Sequence, residues 1–380
     1  MELETVHWEP RTGWSTPLPE LDSAQTLVLA FGSPGLLGDP RPFADLKAAF
    51  PSSVVTGCST AGEILDDMIY DDSLTVAIAK FASTRLTTAA AAISDPAESY
   101  AVGARLAADL KSVDGDLRAI FVLSDGISVN GSQLAAGLVE AAGPSIAISG
   151  GLAADGDRFE RTWLIESGEP RSGVITAVGL GGHDLTVTHG SKGGWDIFGP
   201  QRLVTRSKGN VLYELDGQPA LSLYKRYLGD RAAGLPATAL LFPLSVQLPS
   251  GSCVTRTILS VNEEEESMLF AGDVPEGSMA QLMRANFDRI IAGANEAAAE
   301  ATDALNAGDD PVLAIAISCV GRRLLLGART EDELEATKAV LPPDAALIGF
   351  YSYGELSTVE GGHCELHNQT MTLTTISEAA

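Results

Sequence analysis

Two stretches of this chain share the pattern G-x-x-[S/T]-x-G-E: Gly57-Cys58-Ser59-Thr60-Ala61-Gly62-Glu63 and Gly349-Phe350-Tyr351-Ser352-Tyr353-Gly354-Glu355. Each frames a hydroxyl and a carboxylate with glycines, which let the backbone turn sharply and approach a ligand closely. A looser third copy, 144–151, also ends a strand-like run in glycine. Such positions beyond strand ends are where open α/β sheets hold ligands. They predict a pocket built from Cys58, Ser59, Thr60, Glu63, Asp125, Asp155, Tyr351, Tyr353 and Glu355. The competing reading of the same residues is tight turns with Ser and Asp as caps.

Arg256 and the pair Arg322-Arg323 are basic residues in an acidic chain, and a guanidinium fork matches a carboxylate ligand. Pairing with internal carboxylates is the alternative. In His363-Cys364-Glu365-Leu366-His367 the histidines stand four apart, which permits a shared face on a helix or a strand. With no third ligand nearby and no C-x-x-C-H run, a metal is not expected, and His367 reads as a hydrogen-bonding pocket or core residue. Cys58 is a conceivable nucleophile, but nothing sets a base beside it and G-x-S-x-G is absent. No P-loop is present, nor a G-x-G-x-x-G after a strand, so no nucleotide cofactor is expected. Trp195, Phe198 and Tyr213 fall where one half hands over to the next, as a cleft or as an interface core.

These residues need a scaffold of alternating strands and helices. Strand-like runs at 26–31 and 54–56 flank a helix at 43–50, and runs at 119–123 and 145–148 flank a helix near 132–142. Another strand at 74–79 and a helix at 100–111 lie between them. Beyond Asp155 the strands at 162–165, 173–178 and 185–188 read as antiparallel. The second half predicts a hairpin from 254–261 into 268–271 with Glu263, Glu264, Glu265 and Glu266 in its turn, a long helix over 279–307, a strand at 312–317, a helix at 331–340 and a strand at 346–348. Short buried strands alternating with helices indicate sheets covered by helices.

The 380 residues are 45% hydrophobic, enough for about two packed domains. With 25 Lys and Arg against 50 Asp and Glu, the net charge of −25 disfavours nucleic acid and anionic membrane surfaces. The acidic opening lacks the pattern of an export signal, no apolar run approaches a membrane span, and four scattered cysteines do not make a disulfide framework. A soluble protein of the reducing cytoplasm is the expectation.

Taken together, the motifs at 57–63, 150–155, 194–200 (Gly-Trp-Asp-Ile-Phe-Gly-Pro), 204–207, 209–217, 349–355 and 367–373 (His-Asn-Gln-Thr-Met-Thr-Leu) are similar to those of the FIST family, in both its N-terminal and C-terminal domains. The resemblance implies an α/β (α+β) fold of two domains with mixed β-sheets flanked by helices and a weak internal repeat. The divisions it suggests are an extension at 1–25, a FIST N-terminal domain at 26–220 and a FIST C-terminal domain at 221–380. It implies a non-enzymatic sensory module that binds a small ligand such as an amino acid, with Trp195, His367 and Asn368 among the site residues. No effector segment is expected here, so the output would pass to a histidine kinase, chemoreceptor or diguanylate cyclase. Some members resembling this chain are haem-based nitric oxide sensors, which makes haem on His367 or His363 the alternative to a cofactor-free site. A cysteine-dependent enzyme using Cys58 is a further alternative.

Overall fold

The computed structural model describes residues 1–305, 310–358 and 363–379. Its core is three mixed sheets built to one plan. The first sheet centres on the parallel strands Thr26–Gly32 and Val54–Ser59, joined by the helix Arg41–Ala49. Leu74–Lys80 runs antiparallel to Thr26–Gly32 and carries Glu2–Glu9 outside it. The second sheet repeats this with Leu117–Ser124 and Ala147–Leu152, the helix Gly131–Ala142, and the outer strands Val174–Gly181 and Arg85–Ala92. The third uses Val312–Cys319 and Ala346–Ser352, the helices Val320–Leu326 and Thr330–Lys338, and the outer strands Met371–Glu378 and Leu185–Lys192.

The other flank of each sheet is completed by a hairpin from a neighbour. After Val54–Ser59 the chain leaves the first sheet and adds Glu63–Leu65 and Met68–Tyr70 to the third. After Ala147–Leu152 it adds Leu164–Glu166 and Glu169–Arg171 to the first. After Ala346–Ser352 it adds Gly354–Thr358 and Cys364–His367 to the second. The exchange is cyclic. Where the three chain paths cross, Ala61 N–H donates to Tyr351 O at 2.8 Å, Ala154 N–H to Ser59 O at 2.9 Å and Tyr353 N–H to Leu152 O at 3.2 Å. Each donor lies two residues beyond the acceptor of its own repeat, so the three bonds close a ring.

A fourth, eight-stranded sheet, formed by strands within 196–284, is inserted between the outer strand Leu185–Lys192 and the third sheet's central pair. It packs around Val204, Leu212, Phe270 and Leu282 and is covered by the helix Ala220–Leu228.

The mixed α/β class expected from sequence, mixed β-sheets flanked by helices, is present. In space, however, strands from both sides of residue 220 share the second and third sheets. The expected 1–25 extension supplies Glu2–Glu9, a paired strand of the first sheet. The long helix expected at 279–307 divides into a strand, Met279–Arg284, and a helix, Phe287–Asp303, with residue 307 outside the described residues. The Asn286 side chain accepts from Arg289 N–H and caps the new start, which the apolar period across 279–307 conceals. The four glutamates sit at the turn between Ile258–Asn262 and Ser267–Phe270, as expected. Among the described residues no helix is long and apolar enough to cross a membrane.

Candidate functional site

At the carboxyl ends of the first sheet's parallel pair, beside the crossing point, lies a cleft of about 650 Å³. Ser33, Thr60, Gly62, Glu63, Asp71, Asp72, Asp155, Arg158 and Arg323 are among its walls. Glu63 is buried; Thr60 Oγ1 donates to it at 2.5 Å and Ser73 Oγ at 2.9 Å. Burial pushes its carboxyl up to about 8, against the pull of those donors. Asp155 accepts the backbone N–H groups of Phe159, Glu160 and Arg161 at 2.8 to 2.9 Å and the hydroxyl of Tyr353. Burial acts to raise Asp155, but these donors outweigh it and hold the carboxyl below its usual range. Tyr353 stacks on Phe159 with ring centroids 4.3 Å apart.

Arg323 reaches across from the third sheet. It donates to both carboxylate oxygens of Asp71 at 2.7 and 2.9 Å and to the carbonyl of Ala61, and lies over the Tyr351 ring. A Cβ on Gly62 would overlap the guanidinium, so glycine is needed for this close approach. Arg158 projects from the loop beyond Asp155, and its guanidinium has no hydrogen-bond or ion-pair partner among the described residues. The cleft therefore holds one fork already paired, Arg323 on Asp71, and one without a partner, Arg158, together with Asp72, groups suited to the two ends of a zwitterion.

Of the residues singled out from sequence, Thr60, Glu63, Asp155 and Arg323 line this cleft. Ser59 lies beneath it, its hydroxyl accepting Trp163 N–H at 3.0 Å. Asp125 anchors its own loop by accepting Ile127 N–H, Ser128 N–H and the Thr162 hydroxyl. Glu355 is the counterpart of Glu63 in the other repeat, taking Ser352 and Thr370 hydroxyls at 2.8 Å each, and burial likewise pushes it up to about 8. Tyr351 is buried and donates to Glu333 at 3.0 Å.

Two arginines expected to hold a ligand do structural work instead. Arg322 is fully buried, paired with Glu333 through Nε at 2.6 Å, and donates to the carbonyls of Gly193 and Ile290. Arg256, also buried, donates to the carbonyls of Asp273 and Leu366 at 2.8 Å each and ties the inserted sheet to the second sheet. Glu333 and backbone oxygens occupy the Arg322 fork and backbone oxygens that of Arg256, so neither is free for a ligand carboxylate. Cys58 points into an apolar cluster with Leu29, Phe31 and Leu164, and burial raises its thiol well above the ordinary value, so it is placed neither as a nucleophile nor as a pocket wall. Trp195 is an interface core residue, packed on Met283, Ile290 and Leu326, with Nε1 donating to Gln369 O at 2.8 Å.

His367 lines a second cleft, of about 630 Å³, between the second and third sheets under the inserted sheet, with Asn368 next to it in the chain. Asn368 donates to His367 O at 2.9 Å. Burial pushes the His367 imidazole down to about 4. A haem would need a flat apolar slot against that ring, whereas this cleft is walled by Ser, Thr, Gly and a Lys–Glu pair; the lining does not fit a porphyrin. His363 is exposed outside it. Among the described residues no group of three or more His, Cys, Asp or Glu is placed to hold a metal ion.

Sequence reasoning missed Arg158, Asp71, Glu333 and His189. Arg158 follows Asp155 by three residues and was within reach of the motif; the other three are joined to their sites only by the strand exchange and packing.

A chain of three cyclically interlocked mixed sheets with an inserted fourth, carrying a polar cleft beside the crossing point, is a mixed α/β protein. The FIST N domain model matches residues 26–218 and the FIST C domain model residues 220–358, and the chain belongs to the FIST family. Membership fits a sensory signalling role rather than an enzymatic one. An uncharacterized protein of Methanocaldococcus jannaschii is 29% identical over 199 residues, 48% of this chain and 36% of that protein; the matched region spans about a third of that relative's length. Among solved structures, a chorismatase aligns over 100% of this chain and 98% of its own at 9% identity and a TM-score of 0.38. A cyanuric acid hydrolase from A. caulinodans aligns over 93% and 90% at 10% identity and a TM-score of 0.35.

Proposed function

We propose that this FIST protein is a cytoplasmic small-ligand sensor whose ligand is an amino acid or related small carboxylate, held in the cleft beside the crossing point. The supporting observation is the free guanidinium of Arg158 in one cleft with Asp72 and the Arg323–Asp71 pair. Arg158 receives the carboxylate and Asp72 the ammonium group, beside the Arg323–Asp71 pair. The cleft is walled by segments following the central strands of the first and second sheets and by a helix of the third, so an occupied cleft favours one arrangement of the three over others. The output passes to a separate effector, of the histidine kinase, chemoreceptor or diguanylate cyclase kind.

The test is a thermal-shift screen of the proteinogenic amino acids and small dicarboxylates. A stabilising compound is expected to lose its effect in Arg158→Ala, an exposed position whose apo melting temperature stays unchanged. A shift that survives Arg158→Ala and Arg323→Ala alike removes this cleft as the site.

A further inference from the structure

The second cleft is a different kind of place. Its floor is the outer strand Leu185–Lys192 of the third sheet with the Cys364–His367 strand of the second, and its roof is the turn Ser250-Gly251-Ser252-Cys253 of the inserted sheet. Junctions between structural units of this kind are frequent ligand sites. Three of its side chains bear buried polar atoms without a hydrogen-bond partner among the described residues: His189 Nε2, Ser191 Oγ and His367 Nε2. Buried polar groups are almost always satisfied, so a cluster of three on one wall calls for a missing partner. All three side chains line the cleft, and binding requires Ser191 to turn about χ1 and the imidazoles about χ2 to bring these atoms to it.

The lining also states the chemistry of that partner. The charged groups are Lys192 and Glu300, which neutralise each other at 3.3 Å. The rest is hydroxyl, imidazole and glycine backbone. His189 and His367 are both held neutral by burial, pushed down to about 4. An anion would find no free cation here, and a cation no free carboxylate. Hydroxyls and neutral imidazoles each donate and accept, which is the capacity a polyol's hydroxyls match. We propose that this cleft binds a small uncharged polyol through His189, Ser191 and His367, as a site separate from the zwitterion cleft.

Cys253 lies exposed in the roof and gives a covalent handle on which small probes of defined chemistry can be compared. The full chain is equilibrated with 1-thioglycerol, 1-propanethiol, 3-mercaptopropionate or cysteamine as mixed disulfides on Cys253, under increasing 2-mercaptoethanol, and the adduct is read by intact mass. The thioglycerol adduct is expected to withstand about fivefold more reductant than the propanethiol adduct, the value of one net hydrogen bond. The two charged probes are expected to show no such gain. Ser191→Ala, a change small enough to keep the fold, and His367→Ala should each bring thioglycerol level with propanethiol. Equal release of the two neutral probes from the native chain overturns the proposal, as does a preference for a charged probe or one that persists in Ser191→Ala.

Discussion

Gly57 and Gly349 are the same residue of two repeats: each pairs across a parallel ladder with an alanine, Ala30 or Ala316, and a Cβ on either would overlap that alanine's carbonyl oxygen. Gly150 stands in the same relation to Val122 in the third repeat. At Gly57 and Gly349 the backbone has ordinary dihedral angles, so the demand for glycine there is purely one of space. Substitution of either by alanine is expected to cost at least about 2 kcal/mol through forced separation of the central strands. Denaturant midpoints with an unchanged slope would measure it, and a cost under half that figure would show that the strands part easily.

Arg322 and Glu333 form an ion pair with no exposed surface. Removal of one partner leaves a buried charge without compensation, so Glu333→Gln is expected to destabilise by about 3–5 kcal/mol. The double variant Arg322→Met/Glu333→Leu should recover part of that loss. A single variant as stable as the native protein would mean that water reaches the pair.

Three of the four cysteines are buried, and burial drives their thiols upward, Cys319 to about 12. A thiol reagent at neutral pH is therefore expected to label the native chain once, at Cys253, and all four sites after denaturation. Rapid native labelling of Cys58 would restore the nucleophile reading.

Glu63 and Glu355 lie at about 8, against 4.5 for an ordinary glutamate. A carboxyl raised on folding contributes stability that is complete below its unfolded value and is lost as pH climbs through the folded one. Glu378 works in the opposite sense: burial acts to raise it, but the amides of Ala82, Ser83 and Thr84 bring it down to about 2, so its contribution holds above 4.5 and fades as pH falls. From about pH 5 to about pH 9, stability is expected to decline more steeply in the native chain than in Glu63→Gln/Glu355→Gln. Parallel curves from chemical denaturation would exclude these carboxyls as the source.

The lining around His367 predicts that added hemin produces no Soret band that depends on that residue. A band abolished by His367→Ala would show that the cleft opens wide enough to admit a porphyrin.

Much of the ground plan was legible because glycine at 57, 150 and 349 answers a local steric need that no other residue meets, and the need repeats. The carboxylates Glu63 and Glu355 were legible for the same reason, since their hydroxyl partners Thr60 and Ser352 lie three residues away. Of the two readings given to Arg256 and Arg322, Arg322 takes the internal carboxylate, Glu333, while Arg256 is held by the carbonyls of Asp273 and Leu366, which leave no trace in residue type. The cyclic exchange of hairpins was hidden, since Ile64 and Leu65 look the same whether they pair within the first sheet or with Gly349 and Ile348 of the third.

The position of Met371–Glu378 has a consequence for synthesis of the chain. It lies between Leu185–Lys192 and Val312–Cys319, in the interior of the third sheet, although it is the last strand among the described residues. Leu185–Lys192 emerges from the ribosome almost two hundred residues before the partner that holds it, and Glu63–Leu65 waits longer still for Ala346–Ser352. With long-range pairing of this kind, two strand edges stay open until those partners are made, which makes the nascent chain a natural client for chaperones that shield them.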